Sequence, residues 1–248
     1  MPTGFIYIIT TVGGDFQQPS KVAVPTWHVD RIYFGPCKRP MRPRMRAGDY
    51  VFGLSASKTF PRRFLFAARI AERISFAQAF RRFPVLRGPE GPIHVKPVNR
   101  AGLSFPESHY EHIPGGNHAD DWKADIRTLE LDAFFVCDKA SACTGRWLGA
   151  DGPAVNGELL EFLRTCEVWG SPGKLADMNR SATEDVPIRH GRLYRGLHLE
   201  TDRRDELADL ICRRYRPTAD PEQPSLSGKH VQCEPLNRKR NRRRPPGC

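Results

Sequence analysis

Apolar and polar positions change rhythm several times along the chain, and each change marks an element. Phe5-Ile6-Tyr7-Ile8-Ile9-Thr10 is an unbroken β-branched and aromatic run that stops at Gly13-Gly14, the pattern of a buried strand. Residues 15–30 have no period and read as irregular. Arg31 to Arg46 mixes Pro36, Pro40 and Pro43 with basic residues and reads as a loop or sheet-edge segment. Ala47-Gly48-Asp49 turns the chain into Tyr50-Val51-Phe52-Gly53-Leu54, a second buried strand. Phe64 to Ile70 is a third, hairpinned to the second. Ser75 supplies the cap of a short helix over 76–82, and Pro84 stops it.

Residues 84–121 are rich in Pro, Gly and His with little periodicity, a long irregular insertion of the kind that usually serves function. Leu131, Phe134, Phe135 and Val136 make 129–137 a core strand. Asn156 caps a helix over 158–164, apolar at 159, 160, 162 and 163. A last helix over 202–214 repeats Leu207, Leu210 and Ile211 at helical spacing, and its acidic start and basic end suit the helix dipole. From Pro217 the chain is polar and Pro-rich, then basic through Arg238-Lys239-Arg240-Asn241-Arg242-Arg243-Arg244, so disorder is expected there. These elements predict the α+β class: one domain over 1–216 with a β-rich core and short flanking helices, followed by a basic tail over 217–248.

Composition narrows the chemistry. A chain of 248 residues, 39% of them hydrophobic, is long enough to bury a sizeable core. No apolar run approaches the roughly 18 residues that a bilayer span needs, and the N-terminal apolar stretch is short and lacks a basic lead. A cytoplasmic protein without a membrane partner is expected. The absence of GxxxxGK[ST], GxGxxG, HExxH and GxSxG sets aside P-loop NTPases, Rossmann oxidoreductases, zincins and ordinary serine hydrolases, and no cofactor is expected. The seven cysteines (37, 137, 143, 166, 212, 233 and 248) form no C-x-x-C pair and read as reduced thiols and core filler.

The net charge of +11 is unevenly placed: −1 over residues 1–30, +13 over 31–100, −7 over 101–228 and +6 over 229–248. Positive charge of that density points to a phosphate-bearing partner, nucleic acid or nucleotide; a solvated basic surface is the plainer alternative.

One stretch carries more than charge. Arg31-Ile32-Tyr33-Phe34-Gly35-Pro36-Cys37-Lys38-Arg39-Pro40 is followed by Met45-Arg46-Ala47-Gly48-Asp49-Tyr50-Val51-Phe52-Gly53. Then come Phe64-Leu65-Phe66-Ala67-Ala68-Arg69-Ile70 and the Ser75-Phe76-Ala77-Gln78-Ala79-Phe80 step. This order resembles the nucleotide modification associated domain, type 2, a family of phages and bacteria. The likeness covers residues 4–165 and extends to Asp132–Cys137 and Arg146-Trp147-Leu148-Gly149. Its matching positions are Cys37, Lys38, Arg42, Gly48 and Asp49. The chain departs from the family in placing Arg39 between Lys38 and Pro40, and in a shorter Gly-rich segment before the cysteine. The resemblance implies a setting beside enzymes that alter DNA bases, with such an enzyme as a possible partner. Gly48-Asp49-Tyr50-Val51-Phe52 with Phe66-Ala67-Ala68-Arg69-Ile70 is also similar to the EVE, YTH and PUA-like barrels, which implies a barrel that reads modified bases.

The residues themselves agree with that setting. A base pulled from its stack needs aromatic faces, polar groups for its edge, and cations for the flanking phosphates. The chain supplies Trp27, Tyr33 and Phe34 beside Lys38, Arg39, Arg42, Arg44 and Arg46. The candidate nucleic-acid or nucleotide site is Tyr33, Cys37, Lys38, Arg42, Arg44, Arg46, Asp49, Arg69 and Trp122, with DNA expected ahead of RNA. Trp147, like Trp122, has two uses, packing or stacking. Asp49 also reads as a turn cap, and Cys37 sits among cations that favour its thiolate. The competing class is an enzyme acting on a nucleotide or base, with His109, His112, His118 and Asp121 as its proton-transfer groups in a His- and acid-rich loop. That loop reads equally as polar surface, and no metal site is assigned. A third class is a non-catalytic accessory subunit of a modification system.

Overall fold

The first apolar run becomes β1 (Gly4–Ile9), at whose core Phe5 and Ile6 are buried. The computed structural model describes residues 3–9, 25–35, 41–55, 62–89, 91–116, 119, 122–166 and 197–215, all within the unit Met1–Thr218. The basic tail lies outside the described residues. Six more strands join β1 in one sheet: β2 (Thr26–His28), β3 (Arg31–Phe34), β4 (Tyr50–Ser55), β5 (Phe64–Ile74), β8 (Phe134–Lys139) and β9 (Leu197–Leu199). Their order is β2-β3-β8-β5-β4-β1-β9, and only the β1–β4 pair is parallel. The expected hairpin of the second and third apolar runs is the antiparallel β4–β5 pair. Together with short helices, this mixed sheet is an α+β fold.

Two strands form where the chain reads as irregular. β2 and β3 carry too little apolar alternation to announce themselves, and β2 pairs only with β3 at the edge of the sheet. The insertion also contributes β6 (Val95–Pro97) and β7 (Tyr110–His112), a separate antiparallel pair. Helix α1 (Phe76–Arg82) starts where Ser75 predicts, with a reciprocal capping box: Gln78 N–H donates to the Ser75 hydroxyl, and Ser75 N–H to the Gln78 side chain. A short helix α2 (Trp122–Asp125) precedes β8, and α3 (Glu158–Thr165) and α4 (Thr201–Arg214) follow it. Gly157, not Asn156, stands at the N-cap of α3, with φ at 51°. Asn156 instead accepts from the Arg214 guanidinium, which ties the start of α3 to the end of α4.

Strand β5 organises the core. Its first half pairs with β4 and its second half with β8, with a register break between Ile70 and Glu72. A break of this kind bends a strand and increases its twist. The bend lets side chains from both halves of the sheet meet in one inner cluster: Phe5 and Ile9, Ile32 and Phe34, Val51, Leu65, Phe66, Ala68 and Ile70, Phe135 and Cys137. On the outer face, α3 and α4 cover Ile6, Phe52, Leu54, Phe64 and Ala67 through Leu159, Leu163, Leu207 and Ile211. A third cluster places α1 and the β6–β7 pair over Tyr33, Phe134 and Val136. Each large apolar side chain fully buried this way contributes about 1.5–3 kcal/mol. Gly53 is one point where the inner packing demands glycine, because a Cβ there would stand 2.2 Å from the Phe66 ring.

The cysteines correct the sequence reading. Cys143 and Cys212 form a disulfide across 69 residues, joining the segment after β8 to α4. Spacing gave no hint of it, because the pairing follows from a Cα separation of 5.3 Å created by the fold. Cys137 and Cys166 are free, buried thiols, as core filler should be. Among the described residues, no helix is long and apolar enough to cross a membrane.

Candidate nucleic-acid interface

Two tryptophans pack against the inner cluster without being swallowed by it. Trp27 lies opposite Ile32 in the β2–β3 register, so its ring shares the inner face with a buried isoleucine. Trp147 stacks on Phe66, with centroids 6.1 Å apart and planes 28° from parallel. Its position is set by backbone bonds to the first half of β5: Gly145 N–H donates to Ala67 C=O and Leu148 N–H to Leu65 C=O, each at 2.7 Å. The segment that carries Trp147 therefore continues along the β5 edge that β8 leaves. Both indoles are part-exposed faces on a rigid apolar base, which is the form a stacking platform takes.

Cations on β3, β5 and β8 make long ion pairs with their acids. Arg31 Nε lies 3.8 Å and Lys139 Nζ 3.5 Å from the Asp30 carboxylate, and Arg69 lies 3.4 Å from Asp138. The Lys139 and Arg69 side chains are 71% and 56% exposed, and pairs in such settings hold by about 0–1 kcal/mol. An incoming phosphate can therefore displace the acids at small cost. Arg69, named from the sequence, is one of these exposed cations.

The basic turn before β4 divides its side chains between surface and interior. Met41, Arg42 and Met45 are buried, while Arg44 and Arg46 are exposed. Arg42 is 0% exposed, and its guanidinium donates to Leu131 C=O at 2.9 Å and to Asp125 C=O. This overturns its reading as a phosphate contact: it fastens the turn to the approach to β8. Asp49 caps the turn, accepting from Arg46 N–H at 2.6 Å and from Thr3 N–H at 2.7 Å. Its carboxylate is engaged by backbone donors rather than offered to a base edge.

Tyr33 and Trp122 come together, but inside the third apolar cluster. Tyr33 meets Phe83 edge-on at 5.1 Å, and burial pushes its phenol pKa up. Neither ring lies on an open face, so both are packing residues. The strand alternation explains this for Tyr33, since Ile32 and Phe34 face the inner cluster and Tyr33 the opposite side.

The histidine loop separates in the same way. His109 is exposed, with Nδ1 2.7 Å from the Ser108 hydroxyl. His112 is half-buried on β7, its ring 5.7 Å from that of His94, a fully buried histidine that sequence reasoning did not single out. His118, Asp121, Cys37 and Lys38 lie outside the described residues. Of the predicted acid–base set, His109 and His112 are described, and they differ in burial: one is exposed and the other half-buried. The aromatic signal that sequence reasoning underweighted is Trp147. It stands in a segment without strand periodicity, and only its alignment on β5 brings its ring onto Phe66.

Comparison with protein-family models, with curated proteins and with solved structures finds no match.

Proposed function

We propose that the protein binds nucleic acid and holds one unstacked, modified base against Trp27 and Trp147, with Arg31, Arg69, Lys139 and the exposed Arg44 and Arg46 meeting the backbone phosphates. The observation that carries this reading is the pair of part-exposed indoles seated on the inner core of a bent sheet. A PUA- or EVE-like barrel belongs to the same reading: β5 serves both halves of the sheet, and their inner side chains share one cluster. So does a setting beside a DNA-modifying enzyme, for which the resemblance and the +13 charge of residues 31–100 are the support. The role is that of a reader or accessory protein, with no catalytic step assigned.

The test is binding of the full chain to single- and double-stranded DNA, unmodified and base-modified, across a salt series. Stacking of one base contributes about 1–3 kcal/mol, so Trp27→Ala and Trp147→Ala each weaken binding by about 5- to 150-fold. Charge-removing variants at Arg44, Arg46 and Arg69 lower the salt slope by about one unit each and leave base preference unchanged. Equal affinity for wild type and both tryptophan variants, each shown to be folded, refutes the reading.

A further inference from the structure

The β2–β3 hairpin ends in a two-residue turn, because His28 pairs with Arg31 and leaves only Val29 and Asp30 between them. Val29 has φ at 57° and is the one non-glycine residue with positive φ among those described. Tight hairpin turns place Gly, Asn or Asp at such positions, since a Cβ, and a branched one above all, crowds the backbone there. Packing does not compensate, for Val29 is 61% exposed. The fold thus holds an apolar knob at a hairpin tip in a backbone shape that valine adopts reluctantly.

The surroundings of the tip are rigid and charged. Ala140 N–H donates to Asp30 C=O at 2.7 Å, which braces the turn against the end of β8. Arg31 and Lys139 flank the tip and share the Asp30 carboxylate. Trp27 stands two residues before Val29 on the same hairpin, its ring on the inner cluster. Taking a base out of a duplex needs three things close together: an apolar side chain to fill the gap in the stack, cations for the flanking phosphates, and a surface to receive the base. Val29 supplies the first, Arg31 and Lys139 the second, and Trp27 the third.

We infer that Val29 is a wedge that enters the base stack of double-stranded DNA and displaces one base toward Trp27 and Trp147. The inference rests on the base-binding reading above and goes beyond it, since it makes duplex DNA, rather than a single strand or free nucleotide, the natural substrate form. Asp30 is the group that a phosphate displaces as the tip enters, freeing Arg31 and Lys139 to hold the strand on either side.

The experiment uses the full chain and DNA carrying 2-aminopurine next to a 5-methyl- or 5-hydroxymethylcytosine, whose fluorescence rises when the neighbouring base leaves the stack. With the duplex, wild type gives a several-fold rise. Val29→Gly suits the turn better and so folds at least as well. It lowers duplex affinity by about tenfold and abolishes most of the rise, because nothing then fills the gap that the displaced base leaves in the stack. Its affinity for the same strand in single-stranded form stays within about twofold of wild type, whereas Trp27→Ala weakens both forms. A Val29→Gly chain that matches wild type on the duplex overturns the wedge. A wild type that binds the single strand but leaves duplex fluorescence flat overturns the wedge and leaves the base-binding reading standing. Binding to neither form overturns both.

Discussion

Breaking the Cys143–Cys212 bond gives a sharp test of how the last helix is held. The bond closes a loop of 69 residues, for which the chain-entropy relation gives about 4.4 kcal/mol at 25 °C. In a domain of this size each kcal/mol moves the melting temperature by about 2–4 °C, so reduction lowers it by about 9–18 °C. The fold itself survives. Leu207, Ala208, Leu210 and Ile211 stay buried on the outer core, and β9 keeps its pairing with β1. The assay is thermal unfolding followed by circular dichroism, on wild type with and without a phosphine reductant and on the Cys143→Ser/Cys212→Ser double variant. Reduced wild type and the double variant should melt together, below oxidised wild type. Thiol labelling supplies the control. Burial pushes the Cys137 and Cys166 thiols up to about 12, so in the native reduced chain they stay protonated and resist labelling while Cys143 and Cys212 react. If peptide mapping of aerobically purified protein finds no Cys143–Cys212 linkage, or if complete reduction leaves the melting temperature in place, the reasoning fails.

Three further outcomes follow from single side chains. Arg42→Ala removes a buried guanidinium from two backbone carbonyls and leaves a cavity, lowering stability by about 3–5 kcal/mol in chemical denaturation. Were Arg42→Lys instead to keep full stability while lowering the salt slope of DNA binding, the residue would be a phosphate contact after all. Tyr110 donates to Asp132 at 2.7 Å and accepts from Ala77 N–H, so Tyr110→Phe costs about 1–3 kcal/mol. Burial, and then the bond to Asp132, raise the Tyr110 pKa above its ordinary value of 10.0, so the folded chain holds this proton more tightly than the unfolded chain does. The stability it lends is complete below pH 10 and falls as pH climbs beyond it. Stability against pH should therefore fall more steeply for wild type than for Tyr110→Phe above that point; parallel curves would contradict the assignment. Val29→Gly relieves the left-handed turn and raises stability by about 1 kcal/mol in the same denaturation assay, and a loss of stability would mean that the valine packs in solution.

Much of the architecture is written in local pattern. The apolar runs at 5–9, 50–54 and 64–70 become β1, β4 and the first half of β5, since an unbroken β-branched and aromatic run can satisfy itself only inside a sheet. Ser75 with Gln78 and the stop at Pro84 set α1, and the Leu207–Leu210–Ile211 stripe sets α4, because caps and helical spacing act over a few residues. The excess of positive charge in 31–100 is likewise a property of the sequence alone.

The site was legible only in part. That basic and aromatic residues cluster before β4 is visible in the sequence; which of them reach solvent is not. Arg42 and Arg44 are two positions apart and chemically alike, yet one is sealed beneath Leu131 and Asp125 and the other is exposed. Tyr33 and Trp27 both read as stacking candidates, but the two-residue alternation of paired strands turns Tyr33 into one cluster and Trp27 onto the rim of another. The Trp147 platform, the Cys143–Cys212 bond and the strained Val29 turn depend on contacts between segments far apart in the chain. The sequence by itself determined the elements and the charge, because those follow from neighbours along the backbone. The tertiary structure alone decided which rings, cations and thiols meet, because that depends on how β5 bends and which strand edges it offers.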